Sequence, residues 1–348
     1  MSHSHRTHRI RRRLLRVCCA PAAAAALLVT GCSAMADDGS GAGDIGQRPE
    51  RLAPHWVDPD SVAARQVDKL HEKGERGKAA LLRRIAEQPV ARWVPDKEPR
   101  SEVERVTRAA ADADRRALLV VYNLPHRDCG QYSRGGAQSA QAYRDWIAEV
   151  AAGIGDRPAT VVVEPDAIPH LLVPGCTPRE FHGERYELLA HAVKELKKLP
   201  DTDVYLDAGN PDWVRDPGGL VEPLRRAGIA EADGFALNVS NYQTTESNEA
   251  YGKRVSGMVG GKPFVIDTSR NGNGPVKEGP KKVDKTWCNP AGRALGEAPT
   301  VRTGDRQVAA YLWVKQPGDS DGECRGGPRA GVWWTAYALE LARNAARN

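Results

Sequence analysis

The chain has 348 residues, enough for one large α/β domain or two small ones, and its 41% hydrophobic and 27% charged residues are ordinary for a globular protein. The net charge of +5 does not mark a nucleic-acid binder. Residues 1–31 hold six arginines and no acid, so the rest of the chain is nearly neutral.

The basic N-terminal stretch is followed by an apolar run at residues 20–29 and then by Val29-Thr30-Gly31-Cys32. The run is too short to span a bilayer as a helix. Residues 1–31 therefore read as a signal peptide of lipoprotein type, with Cys32 as the lipid-bearing first residue of the mature chain. Ordinary secretion with cleavage after Ala34-Met35-Ala36 is the alternative. Residues 32–50, rich in Gly, Asp and Ser, read as a flexible tether. No second linker, repeat or appended module follows, so residues 51–348 read as a single domain.

From Trp56 onward, strand and helix patterns alternate. Residues 117–122 (Ala-Leu-Leu-Val-Val-Tyr) predict a strand, and 137–154 a helix with Tyr143, Trp146, Ile147, Val150, Ala151 and Ile154 on one face. Residues 160–163 predict a short buried strand that must end at Pro165, because proline cannot continue a central strand. A helix follows with Tyr186, Leu189, Ala190, Val193 and Leu196 on one side. Further strands are predicted at 204–207, 234–239, 264–268 and 309–314, and helices at 248–259 and 332–346. Such alternation implies right-handed parallel units. No Gly-x-Gly-x-x-Gly opens a helix after a strand, so a dinucleotide-binding sheet lacks its signature. The expected fold is a closed or nearly closed α/β barrel.

Acids recur where these strands end. Asp128 follows the first, Glu164 and Asp166 the second, and Asp207 the third; Asp267 ends the strand at 264–268, and Asp321 follows the last. In a parallel barrel these ends share one rim. Carboxylates gathered there cannot all ionise freely, so one is held protonated. A protonated acid beside an ionised carboxylate is what hydrolysis of a glycosidic bond requires. Any single Asp could instead cap the following helix. Trp93, Trp213 and Trp287 fall in predicted loops, where sugar rings can stack; Trp146, Trp313, Trp333 and Trp334 read as core. Of the seven cysteines, Cys18 and Cys19 lie in the signal and Cys32 at the lipid site. The remaining four, Cys129, Cys176, Cys288 and Cys324, suggest two disulfides with three possible pairings and no zinc-type spacing.

Several runs resemble signatures of glycoside hydrolase family 6, the cellulase family of endoglucanases and cellobiohydrolases. They are residues 122–130 (Tyr122-Asn123-Leu124-Pro125-His126-Arg127-Asp128-Cys129-Gly130), Glu164-Pro165-Asp166-Ala167, Tyr205-Leu206-Asp207-Ala208-Gly209, 234–241, 264–275, 287–296 and 312–322, in family order from about Trp56 to the C-terminus. The resemblance implies a distorted, incompletely closed parallel β/α barrel, TIM-like, that hydrolyses β-1,4-glucosidic bonds with inversion and without metal or cofactor. It implies Asp166 as general acid, Asp128 as the carboxylate that keeps it protonated, and Asp321 as candidate base, acting directly or through a water chain. Tyr122 would lie below the distorted sugar, and Ser133, in the Gly-rich loop 130–136, would position the catalytic water. Trp93, Trp213, Asn238, Trp287 and Lys315 are implied substrate contacts, with Asp207 and two departures from the family, Asn210 for His and Asp319 for Glu, on the substrate-holding side. Asp216 stands where a second Trp is common. The implied pairings are Cys129–Cys176 and Cys288–Cys324. The expected protein is a monomer acting on β-glucan, endo-acting because the domain is compact. Exo action, or glucan binding without cleavage, are the alternatives.

Overall fold

The computed structural model describes residues 55–277 and 285–345. The expected signal segment, Cys32 and the tether lie outside the described residues. Seven parallel strands run in sequence order: β1 (Arg92–Trp93), β2 (Ala117–Val121), β3 (Ala159–Val163), β4 (Thr202–Asp207), β5 (Gly234–Leu237), β6 (Phe264–Asp267) and β7 (Val308–Leu312). Among the described residues, eight α-helices accompany them: α1 (Val62–Glu72), α2 (Arg76–Ala86), α3 (Pro99–Asp112), α4 (Ala140–Ile154), α5 (His182–Leu196), α6 (Val221–Arg226), α7 (Thr245–Met258) and α8 (Thr335–Ala345). The sheet curls until its first and last strands nearly meet. A bridge between Val90 and Trp313, just outside both strands, joins them, with the Ala91 amide donating to the Trp313 carbonyl at 2.9 Å. This is the distorted, incompletely closed barrel expected.

Pleat alternation divides the apolar residues between two cores. Leu118, Val120, Val162, Tyr205, Ala236, Val265, Ala310 and Leu312 pack together inside the curl. Their neighbours Leu119, Val121, Val161, Val163, Val204, Leu206, Phe235 and Ile266 pack outward against α3, α4, α5 and α7. Val161, Val162 and Val163 are wholly buried, which explains an unbroken valine run where a one-sided strand would alternate. Each such side chain contributes about 1.5–3 kcal/mol by burial.

Some boundaries differ from expectation for local reasons. Strand β5 stops at Leu237 because Asn238 turns into the left-handed region at φ 65°. Helix α4 starts at Ala140, where the Ser139 hydroxyl accepts the Ala142 amide at 3.1 Å, and α7 at Thr245, where Thr244 accepts the Ser247 amide at 3.2 Å. Helix α8 starts at Thr335 because Trp333 bridges to Asp319 and the Trp334 amide donates to the Gly318 carbonyl at 2.7 Å.

Candidate active site

The strands point their C-terminal ends at one rim, and the chain leaves them in tight left-handed turns. His126, Asp128 and Cys129 after β2, Glu164 and Asp166 after β3, and Asn238 and Ser240 after β5 all have positive φ. Such conformations cost roughly 1–3 kcal/mol each and persist only where surrounding contacts hold them. Here the holding is done by buried carboxylates that accept backbone amides. Glu164 accepts Asn123 N (2.9 Å) and Leu124 N (3.0 Å), tying the end of β3 to the loop after β2. Asp267 accepts Ser240 N (2.9 Å), Ser269 N (3.0 Å), Val314 N (3.2 Å) and Lys315 N (3.0 Å), binding the exits of β5, β6 and β7 together.

Asp207 does the same for Asp166. Its Oδ2 accepts the Asp166 amide at 2.8 Å and the Gly209 amide at 3.3 Å, and it is buried to 1% exposure. The family resemblance puts Asp207 on the substrate-holding side. It is buried beside Asp166 and fixes the turn that presents it. Burial pushes the Asp207 carboxyl up to about 7.

Asp128 and Asp166 come together. A carboxylate oxygen of each and a ring nitrogen of His170 lie within 4.8 Å of one another. Burial, then the charges of Asp207 and Asp128, push the Asp166 carboxyl well above the usual range, while Lys315 pulls the other way. Burial also raises Asp128, against the opposing pull of the Ser133 amide, which donates to it at 2.5 Å, and of Arg127. Tyr122 stands beside the pair: its phenol is pushed up by burial and by Asp166 and Asp128, and Trp93 meets its ring edge-on at 5.4 Å. Ser133 touches Asp128 through its backbone, and Arg127 Nε donates to its carbonyl at 2.9 Å, so the loop 130–136 closes against the acid pair.

Asp321 has the opposite environment. Its Oδ2 accepts from Arg270 Nη1 (2.9 Å), Tyr242 OH (3.0 Å) and Asn289 N (3.0 Å), and Lys315 Nζ lies 3.3 Å from Oδ1. Burial works to raise this carboxyl, but Arg270 and Lys315 outweigh it and hold it below the usual range. Asp319 next to it is pushed up to about 6 by burial, against Lys315 and Arg270. Asp321 and Asp166 are thus shifted in opposite directions, with Lys315 acting on both.

The remaining predicted contacts divide in two. Trp93, Trp213 and Trp287 are all half-buried, leaving ring surface accessible. Trp93 is anchored by its indole N–H to the Val314 carbonyl at 2.9 Å, Trp213 meets the His170 ring at 5.1 Å, and Trp287 meets Tyr132 at 6.0 Å. Asn238 and Asn210 do not reach the groove. Asn238 is wholly buried, its amide spent on the Asp267 carbonyl (2.9 Å), the Gln243 carbonyl (3.2 Å) and the Gln243 amide (3.0 Å). Asn210, 3% exposed, accepts the Asp212 and Trp213 amides at 3.2 and 3.1 Å, so it sets the turn that carries Trp213. The disulfides are Cys129–Cys176 and Cys288–Cys324, with Cα separations of 5.0 and 6.4 Å. Each adjoins a rim acid.

Arg270, Tyr242, Asn289 and His170 were not singled out from sequence. Arg270 and Asn289 lie inside runs that carried the resemblance, and Tyr242 directly after one; their partner, Asp321, is far along the chain.

The Glycosyl hydrolases family 6 profile matches residues 51–345. The chain belongs to that family. Endoglucanase A of Cellulomonas fimi is 43% identical over 301 residues, covering 85% of this chain and 62% of that protein, so the chain spans under two thirds of that relative. Endoglucanase 1 of Streptomyces halstedii is 41% identical over 278 residues, covering 77% of this chain and 81% of that protein. Among solved structures, the endoglucanase Cel6 from Mycobacterium tuberculosis in complex with methyl-cellobiosyl-4-deoxy-4-thio-β-D-cellobioside is similar at a TM-score of 0.78 and 40% identity. The match covers 84% of this chain and 98% of that one.

Proposed function

We propose that this family 6 chain is an inverting endo-β-1,4-glucanase. The observation that supports the reading is the contrast at the rim, where burial and the charges of Asp207 and Asp128 raise the Asp166 carboxyl while Arg270 and Lys315 lower that of Asp321. Asp166 protonates the leaving oxygen, and Asp128 keeps it protonated by charge repulsion. Oxygens of these two within 4.8 Å of each other are closer than the roughly 6.5–9.5 Å that admits a water between acid and base, so Asp128 is not the direct base. Asp321, its oxygens occupied by Arg270, Tyr242, Asn289 and Lys315, receives the proton of the attacking water through a water chain rather than by contact. Tyr122 supports the distorted sugar, Ser133 positions the water, and Trp93, Trp213, Trp287, Lys315 and Asp319 hold the glucan chain.

Endo action is supported by the endoglucanase names of relatives at 41–43% identity, against 29% for the fungal cellobiohydrolases. The proposed organisation is one catalytic domain, 51–348, acting as a monomer outside the cell and tethered through lipid on Cys32.

Asp166→Asn is expected to lower hydrolysis of a soluble β-glucan by about 10³-fold or more while cello-oligosaccharide binding persists. Undiminished turnover would overturn the reading. NMR of fresh products must show the α-anomer first. A steep fall in the viscosity of substituted cellulose supports endo action, and processive cellobiose release without that fall counts against it.

A further inference from the structure

His170 lies beside the acid pair with no task assigned to it. It follows Asp166 by one turn, its backbone amide donating to the Asp166 carbonyl at 2.9 Å, in the short helical turn Pro169–Leu172. The residue is only 6% exposed, and its ring makes no hydrogen bond with any described residue; the Trp213 ring packs edge-on against it at 5.1 Å. A ring nitrogen that the neighbouring residues leave unbonded is open to a ligand. This ring has a nitrogen within 4.8 Å of carboxylate oxygens of both Asp128 and Asp166.

We propose that Asp128, Asp166 and His170 form a chelating site for a divalent transition metal of the zinc or copper type, whose binding blocks turnover. Two carboxylate oxygens and one imidazole nitrogen are a donor set that zinc and copper accept, whereas magnesium and calcium favour oxygen alone. Tetrahedral zinc with bonds of about 2.0–2.1 Å needs ligand atoms about 3.3 Å apart, so small side-chain rotations close the observed spacing. The sulfurs of Cys129 and Cys176 surround the same ring, but they are bonded to each other and offer no thiolate. The metal takes the position of the Asp166 proton, which leaves to solvent. The blocking effect rests on Asp166 being the acid; the binding itself does not.

Zinc chloride titrated calorimetrically into the full, disulfide-bonded chain tests this. His3, His5 and His8 near the N-terminus supply a background shared by every variant. Expected for the parent is a chelator-reversible zinc event with inhibition over the same concentration range, and no inhibition by magnesium. His170→Asn should retain thermal stability, while zinc binding, and zinc inhibition taken relative to the variant's own zinc-free rate, weaken at least 10-fold. Equal zinc affinity in parent and His170→Asn overturns the proposal, as does hydrolysis indifferent to millimolar zinc. If His170→Asn does not fold, Asp166→Asn serves, because it also loses a ligand and is read by binding alone; undiminished zinc affinity there overturns the proposal too. A chain that binds zinc through these residues but never cleaves glucan would sink the hydrolase reading and leave the site standing.

Discussion

Replacing Asp207 by Asn removes a negative charge beside Asp166 while keeping an oxygen to accept the Asp166 amide. Since that charge helps raise the Asp166 carboxyl, the basic limb of the kcat/KM–pH profile should move to lower pH. Lys315→Met removes a cation that lowers Asp166, so the same limb should move to higher pH. Opposite shifts in the two variants are the test; movement in one direction would mean that a group other than Asp166 sets the limb. Arg270→Met should cost roughly 3–5 kcal/mol in urea unfolding, because it strips the main counter-charge from the buried Asp321. Adding Asp321→Asn should recover much of that loss, since the uncompensated charge is then gone. Arg270 also shows where sequence reading stops. Strand ends carrying Asp can be read from periodicity and Pro165, but a partner 51 residues away cannot. The same holds for Asp207 and Asn238, whose polarity suggests contact with sugar, whereas in the fold both are buried and bonded to backbone groups.

Among the elements, the six longer strands were legible because a short, mostly apolar run bounded by turn residues has few other readings. Strand β1 was not, being two residues long with an exposed Arg92. Helices α1 and α2 escaped notice because their buried sides are narrow, only Ala63, Val67 and Leu70 in one and Ala79, Leu82 and Ile85 in the other. The loop after β2 carries its own test. Gly136 has φ +97°, and a Cβ there would lie 2.0 Å from the Leu124 carbonyl oxygen. Gly136→Ala should therefore push loop 130–136 away from Asp128, reducing kcat at least 10-fold. Unchanged kcat would separate the loop from the chemistry. Reducing the disulfides, which close separations of 47 and 36 residues, should lower stability by roughly 4 kcal/mol each on the chain-entropy account. A guanidinium melt with and without thiol reads this out.

For the whole molecule, buried carboxyls couple stability to acidity. Glu164 is pushed by burial from 4.5 up to about 7, against the pull of the Asn123 and Leu124 amides. A raised carboxyl gives its full contribution below the unfolded value and loses it as pH rises through 7, about 3 kcal/mol at the extreme. His55 works the other way: burial and Arg116 lower it to about 4, so its contribution is complete above 6.5 and lost on acidification. The two trends offset one another between about pH 4.5 and 6.5. Comparing Glu164→Gln with the parent isolates one of them. The melting temperature of the variant relative to the parent should rise steadily from pH 4.5 to 7, and a flat difference would show that Glu164 ionises freely in the native state.

The wall of the curl is not equally strong all the way round. Strands β2 to β4 are held by full runs of paired backbone, whereas the bridge at Val90 and Trp313 closes the circuit. Deuterium should therefore enter at the Ala91 amide through brief local parting, long before it reaches Val161 or Val162, which open only when the protein unfolds. On the proposed function, a glucan held by Trp93 on one bank and Lys315 on the other would act as a clasp and slow the uptake.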